Sequence, residues 1–193
     1  MKVEILYRDL FDRSGQMFIT EMTDHYNYCF IDYGDVMRRN IANQTDIGIE
    51  IKSYLDKGEF IPNHLTFKVI KQELETQNCN EVLIKGYPKN EIQVELLLDY
   101  FKMTKSELQR VWYMKALNTM INLEKIPKYS QMAAKYKSHD HIMLSSERIK
   151  TANQISIEHL RQYCEVVIFE SESHGINYKN DQLRIKETIH YNR

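Results

Sequence analysis

Five short apolar runs, each separated from the next by stretches of helical character, constrain this chain more than any other feature. They lie at residues 3–7, 28–31, 82–84, 111–114 and 166–169. Strands that are apolar almost throughout are buried on both faces, which is the signature of a parallel sheet. Parallel neighbours need crossovers long enough to hold a helix. Between the runs, Met17, Phe18, Met22 and Tyr26 recur at helical spacing. Helices are also expected over residues 36–43, from an N-cap at Thr45 to a stop at Gly58, from Pro62 to about residue 77, and over 92–101. Further helices are expected at 117–137 with a break at Pro127, at 147–164 and at 181–190, with a polar, exposed connection over 135–146. The expected fold is therefore α/β and three-layered, with a parallel, mainly five-stranded sheet and helices on both faces.

A chain of 193 residues suits one domain. Its 42% hydrophobic and 27% charged residues fit a globular protein. The net charge of -1 shows no basic excess, so general nucleic-acid binding is not expected. The opening apolar run is broken by Arg8 and Asp9, which does not suit a signal peptide, and no stretch is apolar enough for a membrane span. Cys29, Cys79 and Cys164 are odd in number and widely spaced, so three reduced thiols in an intracellular compartment are expected.

The middle of the chain carries a resemblance. A turn at Tyr33-Gly34-Asp35 is followed three residues later by Arg38. Gly58-Glu59-Phe60-Ile61-Pro62 makes a second step, and a strand then ends in Lys85-Gly86-Tyr87-Pro88-Lys89, with Gln93 four residues on. In order and spacing, residues 29–101 resemble the adenylate kinase-like nucleoside monophosphate kinases, a family with the P-loop fold. The resemblance implies a single domain over residues 1–193, a helical insertion of the monophosphate-binding type at 36–77 and a short lid-like connection at about 127–146. It also implies an AMP-type substrate site formed by Tyr33, Arg38, Lys89 and Gln93. There Arg38 and Lys89 would hold the phosphate, and Gln93 would read the base. Two positions depart from the family. The turn has Tyr33 where the family has threonine, and Lys89 replaces an arginine whose planar fork suits phosphate.

The phosphate loop departs further. The family places a glycine-rich loop and a lysine after the first strand, where backbone N–H groups wrap the phosphates. Here the stretch holds Arg8, Asp9, Asp12, Arg13 and Gly15, with Gly15 at or near the lysine's place. The family's acid that helps hold the metal's water shell is Lys85. Phosphoryl transfer depends on positioning and charge neutralisation, which carboxylates in the loop and a cation at the metal site oppose. The resemblance places Arg148 near an arginine of the family's late helix. A lone Lys85 ammonium in the crevice would need an anion, with Asp9, Asp12 and Asp35 as expected partners.

Other constellations carry less. His139-Asp140-His141 reads as a solvated loop, the tyrosines are scattered over several elements, and no metal site, nucleophile elbow or zinc helix motif is expected. The reading that follows is a degenerate family member without a cofactor, a pseudoenzyme serving as a structural or interaction subunit of a larger assembly. Its partners would be proteins, with AMP or a related nucleotide as ligand. Cytoplasmic, ciliary and mitochondrial locations are not separated. The alternatives are a module that still senses AMP, and an active nucleoside monophosphate kinase using Mg²⁺ and ATP. In the last, ATP and AMP would give ADP, with Arg8 or Arg13 supplying the missing charge.

Overall fold

The computed structural model describes residues 1–9, 14–116, 139–171 and 178–192. Its elements are β1 (Lys2–Arg8), α1 (Ser14–Tyr26), β2 (Cys29–Asp32), α2 (Tyr33–Ala42), α3 (Asp46–Asp56), α4 (Asn63–Thr76), β3 (Glu81–Lys85), α5 (Glu91–Thr104), β4 (Glu107–Ala116), α6 (His139–Leu160), β5 (Glu165–Ser171) and α7 (Tyr178–Asn192). The strands form one sheet in the order β2-β3-β1-β4-β5, and every pair is parallel. The expected five-stranded α/β architecture is thus present.

Because successive strand residues face opposite sides, the sheet divides the core in two. Val3, Ile5 and Tyr7 of β1 pack with Val82, Ile84 and Val111 beneath α2 to α6. Leu6, Leu83 and Trp112 point the other way and are covered by Phe18 and Met22 of α1 and Ile185 and Ile189 of α7. Trp112 is fully buried, with its ring centroid 4.8 Å from that of Phe18. Its indole N–H donates to the buried Glu4 carboxylate at 2.5 Å, which also accepts from Arg110 at 3.3 Å. A carboxylate in a core is costly unless it is paired and hydrogen-bonded, and these two donors supply that pairing.

The helical insertion is punctuated as its sequence suggests. Asp32 caps α2 through the Asp35 amide, Thr45 caps α3 through the Gly48 amide, and Asn90 caps α5 through the Gln93 amide. Such caps satisfy amides that have no partner within the helix. Gly48 lies where α2 and α3 meet, and a Cβ there would stand 2.1 Å from the Asn40 carbonyl oxygen. Only glycine permits that approach.

Three expectations change. Cys29 and Cys79 are joined by a disulfide across 50 residues, with Cα atoms 6.1 Å apart, so only Cys164 is a free thiol. The pairing arises because β2 and β3 are neighbours: their starts bring together two cysteines far apart in sequence. Strand β4 begins at Glu107 rather than near 111, since its polar first residues are drawn into the ladder by the Glu107 N–H bond to the Met1 carbonyl at 2.9 Å. Helix α6 begins at His139 rather than 147, and residues expected to be an exposed connection form its first turns. Residues 117–138 lie outside the described residues, and with them the helix expected over 117–137 and most of the lid-like connection. Among the described residues, no helix is long and apolar enough to cross a membrane.

Candidate functional site

A parallel sheet offers its ligand crevice beyond the carboxyl ends of its strands. Here β1 ends at Arg8 and β3 at Lys85, and a cavity of about 500 Å³ opens beyond them against α6. Among the described residues, four cations line it from four parts of the fold: Arg8 from β1, Lys85 from β3, Lys89 from the following turn, and Arg148 from α6, and Asp9 is the one carboxylate.

Asp9 is turned away from the opening. It is buried, its N–H donates to the Met114 carbonyl at 3.0 Å, and its carboxylate accepts from the Tyr113 hydroxyl at 2.7 Å and the Ala116 amide at 3.1 Å. Burial, together with the Asp9 hydrogen bond and charge, pushes the Tyr113 phenol well above its ordinary pKa, so it stays a neutral donor. The chain leaving β1 is thereby fastened to the end of β4. On the other side, the Arg8 carbonyl accepts from the Asn153 side chain of α6 at 3.1 Å.

Lys85 is held by Asp32, with Nζ to Oδ2 at 2.5 Å and both side chains mostly covered. The strand register makes this contact, because Asp32 of β2 lies directly beside Lys85 of β3. Burial works to raise the Asp32 pKa, but the hydrogen bond and charge of Lys85 and the amides of Asp35 and Gly34 outweigh it, so the carboxyl sits below its ordinary value. The expected partners were Asp9, Asp12 and Asp35. Asp9 bonds toward β4, Asp35 pairs with Arg38, and Asp12 lies outside the described residues. The register neighbour, Asp32, is the one that sequence reasoning missed. Its place just before the Tyr33-Gly34-Asp35 turn, three residues ahead of Asp35, was a legible capping signal.

The remaining site residues divide. Arg38 stands on the exposed face of α2 and pairs with Asp35 within the same helix. Tyr33 is nearly buried, its ring centroid 5.5 Å from that of Tyr87, and burial pushes its phenol up to about 12 against a hydrogen bond with Thr66. The Lys89 ammonium lies 6.0 Å from the Tyr33 ring centroid, within cation–π range. Lys89 keeps surface in solvent, yet the protein packed around it lowers its pKa, with the Asp32 charge opposing. Gln93 is buried. Its amide oxygen accepts from the Lys89 N–H at 2.8 Å, and its amide nitrogen donates to Asn63 at 3.0 Å and Thr66 at 3.2 Å. Gly15 is buried in the first turn of α1, and Arg13 lies outside the described residues. The crevice thus gathers Arg8, Asp9, Lys85, Lys89 and Arg148, while Tyr33, Arg38 and Gln93 sit outside its lining.

The adenylate kinase family model matches residues 16–167. The chain belongs to the adenylate kinase family. Among its curated relatives, an adenylate kinase of Bifidobacterium longum is 36% identical over 108 residues, 55% of this chain and 58% of that protein. One of Clostridium tetani is 40% identical over 86 residues, 44% of this chain and 39% of that protein. One of Streptococcus sanguinis is 37% identical over 109 residues, 55% of this chain and 47% of that protein. The chain spans about half the length of the curated relatives it matches.

In this adenylate kinase family member, β1 and the stretch after it precede the matched region, which opens at Gln16. The metal position implied by the family is at Lys85. Its residues do not fit Mg²⁺, which asks for oxygen ligands. An ammonium ends the strand, and the adjacent Asp32 is spent on it. Among the described residues, no cluster of His, Cys, Asp or Glu could hold a metal ion. His139 and His141 fall in the first turn of α6.

Proposed function

We propose that this adenylate kinase family protein does not transfer phosphoryl groups and instead holds a phosphorylated anion in its crevice while serving as an interaction subunit. The observation that carries the reading is the Lys85–Asp32 ion pair at the strand end where the family's metal-holding acid would stand. An internal pair takes the place of a metal shell, and Asp9 fastens the outgoing chain to β4 without a ligand. The cations Lys89 and Arg148 in the lining keep the cavity attractive to phosphate. The role as a subunit of a larger assembly is supported by exposed apolar side chains, above all Phe60 at 99% exposure.

The test is a coupled assay of ATP and AMP with Mg²⁺. No turnover is expected. A rate near the ~10 s⁻¹ of a typical enzyme that is lost in Arg38→Ala would instead establish an active kinase. A thermal-shift series with AMP, ADP and ATP tests the binding half. A ligand at a hundredfold excess over its Kd stabilises the folded state by about 2.7 kcal/mol. A pull-down from the native source, repeated with Phe60→Ser, tests the interaction half.

A further inference from the structure

We propose that Cys29 and Cys79 form an exchange site for a small-molecule thiol and its disulfide, and that the state of their bond sets how firmly the helical insertion is tied to the sheet. This does not depend on what the crevice holds.

The place of the bond carries the inference. Strand β2 ends the sheet order and, among the described residues, pairs with β3 alone. Their ladder runs from Cys29 beside Val82 to Asp32 beside Lys85. The Lys85–Asp32 ion pair closes one end of it, and the disulfide closes the other. Helix α2 leaves directly from Asp32, and α4 leads back to Cys79 within a few residues. The sequence separation of 50 between the two cysteines therefore contains α2, α3 and α4. A cross-link that closes so long a loop removes much of the freedom its opening would gain.

The two sulfurs are not equally reachable. Cys29 lies in a strand and packs against the larger buried cluster. Cys79 lies in the connection between α4 and β3, flanked by the exposed Asn78 and Asn80. Their Cα separation of 6.1 Å suits a disulfide without movement of the backbone. Exchange begins when a thiolate attacks a disulfide sulfur. Here a small thiolate attacks the Cys79 sulfur: a new S–S bond forms there, the Cys29–Cys79 bond breaks, and Cys29 leaves as a thiolate that takes up a proton. A second small thiol then displaces Cys79, giving two protein thiols and one small-molecule disulfide. Two electrons pass to the protein, and the small disulfide drives the same steps in reverse. The third cysteine does not compete. The Cys164 thiol donates to the Leu160 carbonyl at 3.7 Å, and burial pushes its pKa up to about 11, so it stays protonated and a poor nucleophile.

The experiment equilibrates the full chain with reduced and oxidised glutathione over the whole range of ratios, quenches in acid, alkylates the unfolded chain and maps the label by mass spectrometry. Cys29 and Cys79 are expected to gain and lose label together, with Cys164 labelled throughout. Amide hydrogen exchange over α2 to α4 should be roughly tenfold faster in the reduced form, and unchanged over β4 and β5. Cys79 in Cys29→Ser should take up glutathione about tenfold faster than Cys29 does in Cys79→Ser. Label on Cys29 and Cys79 at every ratio, or at none, would overturn the exchange site. Equal hydrogen exchange over the insertion in both forms would overturn its tie to the bond. Faster uptake at Cys29 would overturn Cys79 as the sulfur attacked.

Discussion

The two sides of the crevice are held by different means. On the side of the helical insertion, α2 to α4, local devices build the fold. Asp32 and Thr45 are helix caps, and Gly48 allows the α2–α3 crossing. On the side of the first strand, the chain leaving Arg8 is held by Asp9 reaching to Tyr113 and Ala116, partners far along the sequence. The difference teaches that caps fix an insertion through neighbours a few residues away, whereas the end of a strand is fixed by a carboxylate whose partners only the sheet brings near.

The sharpest way to break this comparison is at Asp9. Asp9→Ala leaves the Tyr113 hydroxyl and the Ala116 amide without their acceptor. Hydrogen bonds to a charged group are worth roughly 1.5–3 kcal/mol, so the loss should fall near the top of that range in urea unfolding. A loss smaller than ~0.5 kcal/mol would show that Asp9 does not anchor this side.

Next comes the pair that joins the two sides. Lys85→Met removes the cation from a partly covered ion pair, and a loss of roughly 1–2 kcal/mol is expected at pH 7, between exposed and fully buried cases. Asp32 has a folded-state pKa below its ordinary 3.8. Its contribution is therefore fully present above that value and lost as pH falls through the depressed one. The gap between wild type and Lys85→Met, followed by thermal melts, should close in the acid range below pH 3.8 and stay constant above about pH 5. A gap that persists unchanged at low pH would assign the effect to packing.

Within the insertion, Thr45→Ala should cost about 1 kcal/mol, the usual value for an N-cap, because the Gly48 amide loses its side-chain acceptor. No change would mean that α3 depends on packing of Ile47 and Ile51 alone. Smallest of all is Phe60→Ser, where stability should move by less than ~0.5 kcal/mol because the side chain is almost wholly in solvent. If that variant unfolds more readily than Thr45→Ala, Phe60 belongs to the structure and not to a docking surface.

The sequence by itself determined the layers and the direction of the sheet. Runs such as those around Ile5, Ile84 and Val111 are apolar on both faces, and only a parallel strand covered twice by helices buries them. It also determined the punctuation of the insertion, since Thr45, Gly58 and Pro62 act on the backbone within a few residues of where they stand. What lay beyond it were pairings between residues distant along the chain. Cys29 meets Cys79, Asp32 meets Lys85, and Asp9 meets Tyr113. Each of these depends on which strand lies beside which and in what register, and the order β2-β3-β1-β4-β5 is not a local property. The start of α6 was hidden for a related reason. Its first turns are a polar run that reads as loop by composition. Charge in the crevice was legible residue by residue, but its balance was not. Whether a carboxylate neutralises a lysine, or turns its back on the cavity to hold a tyrosine, is decided by hydrogen bonds that only the folded chain brings within reach.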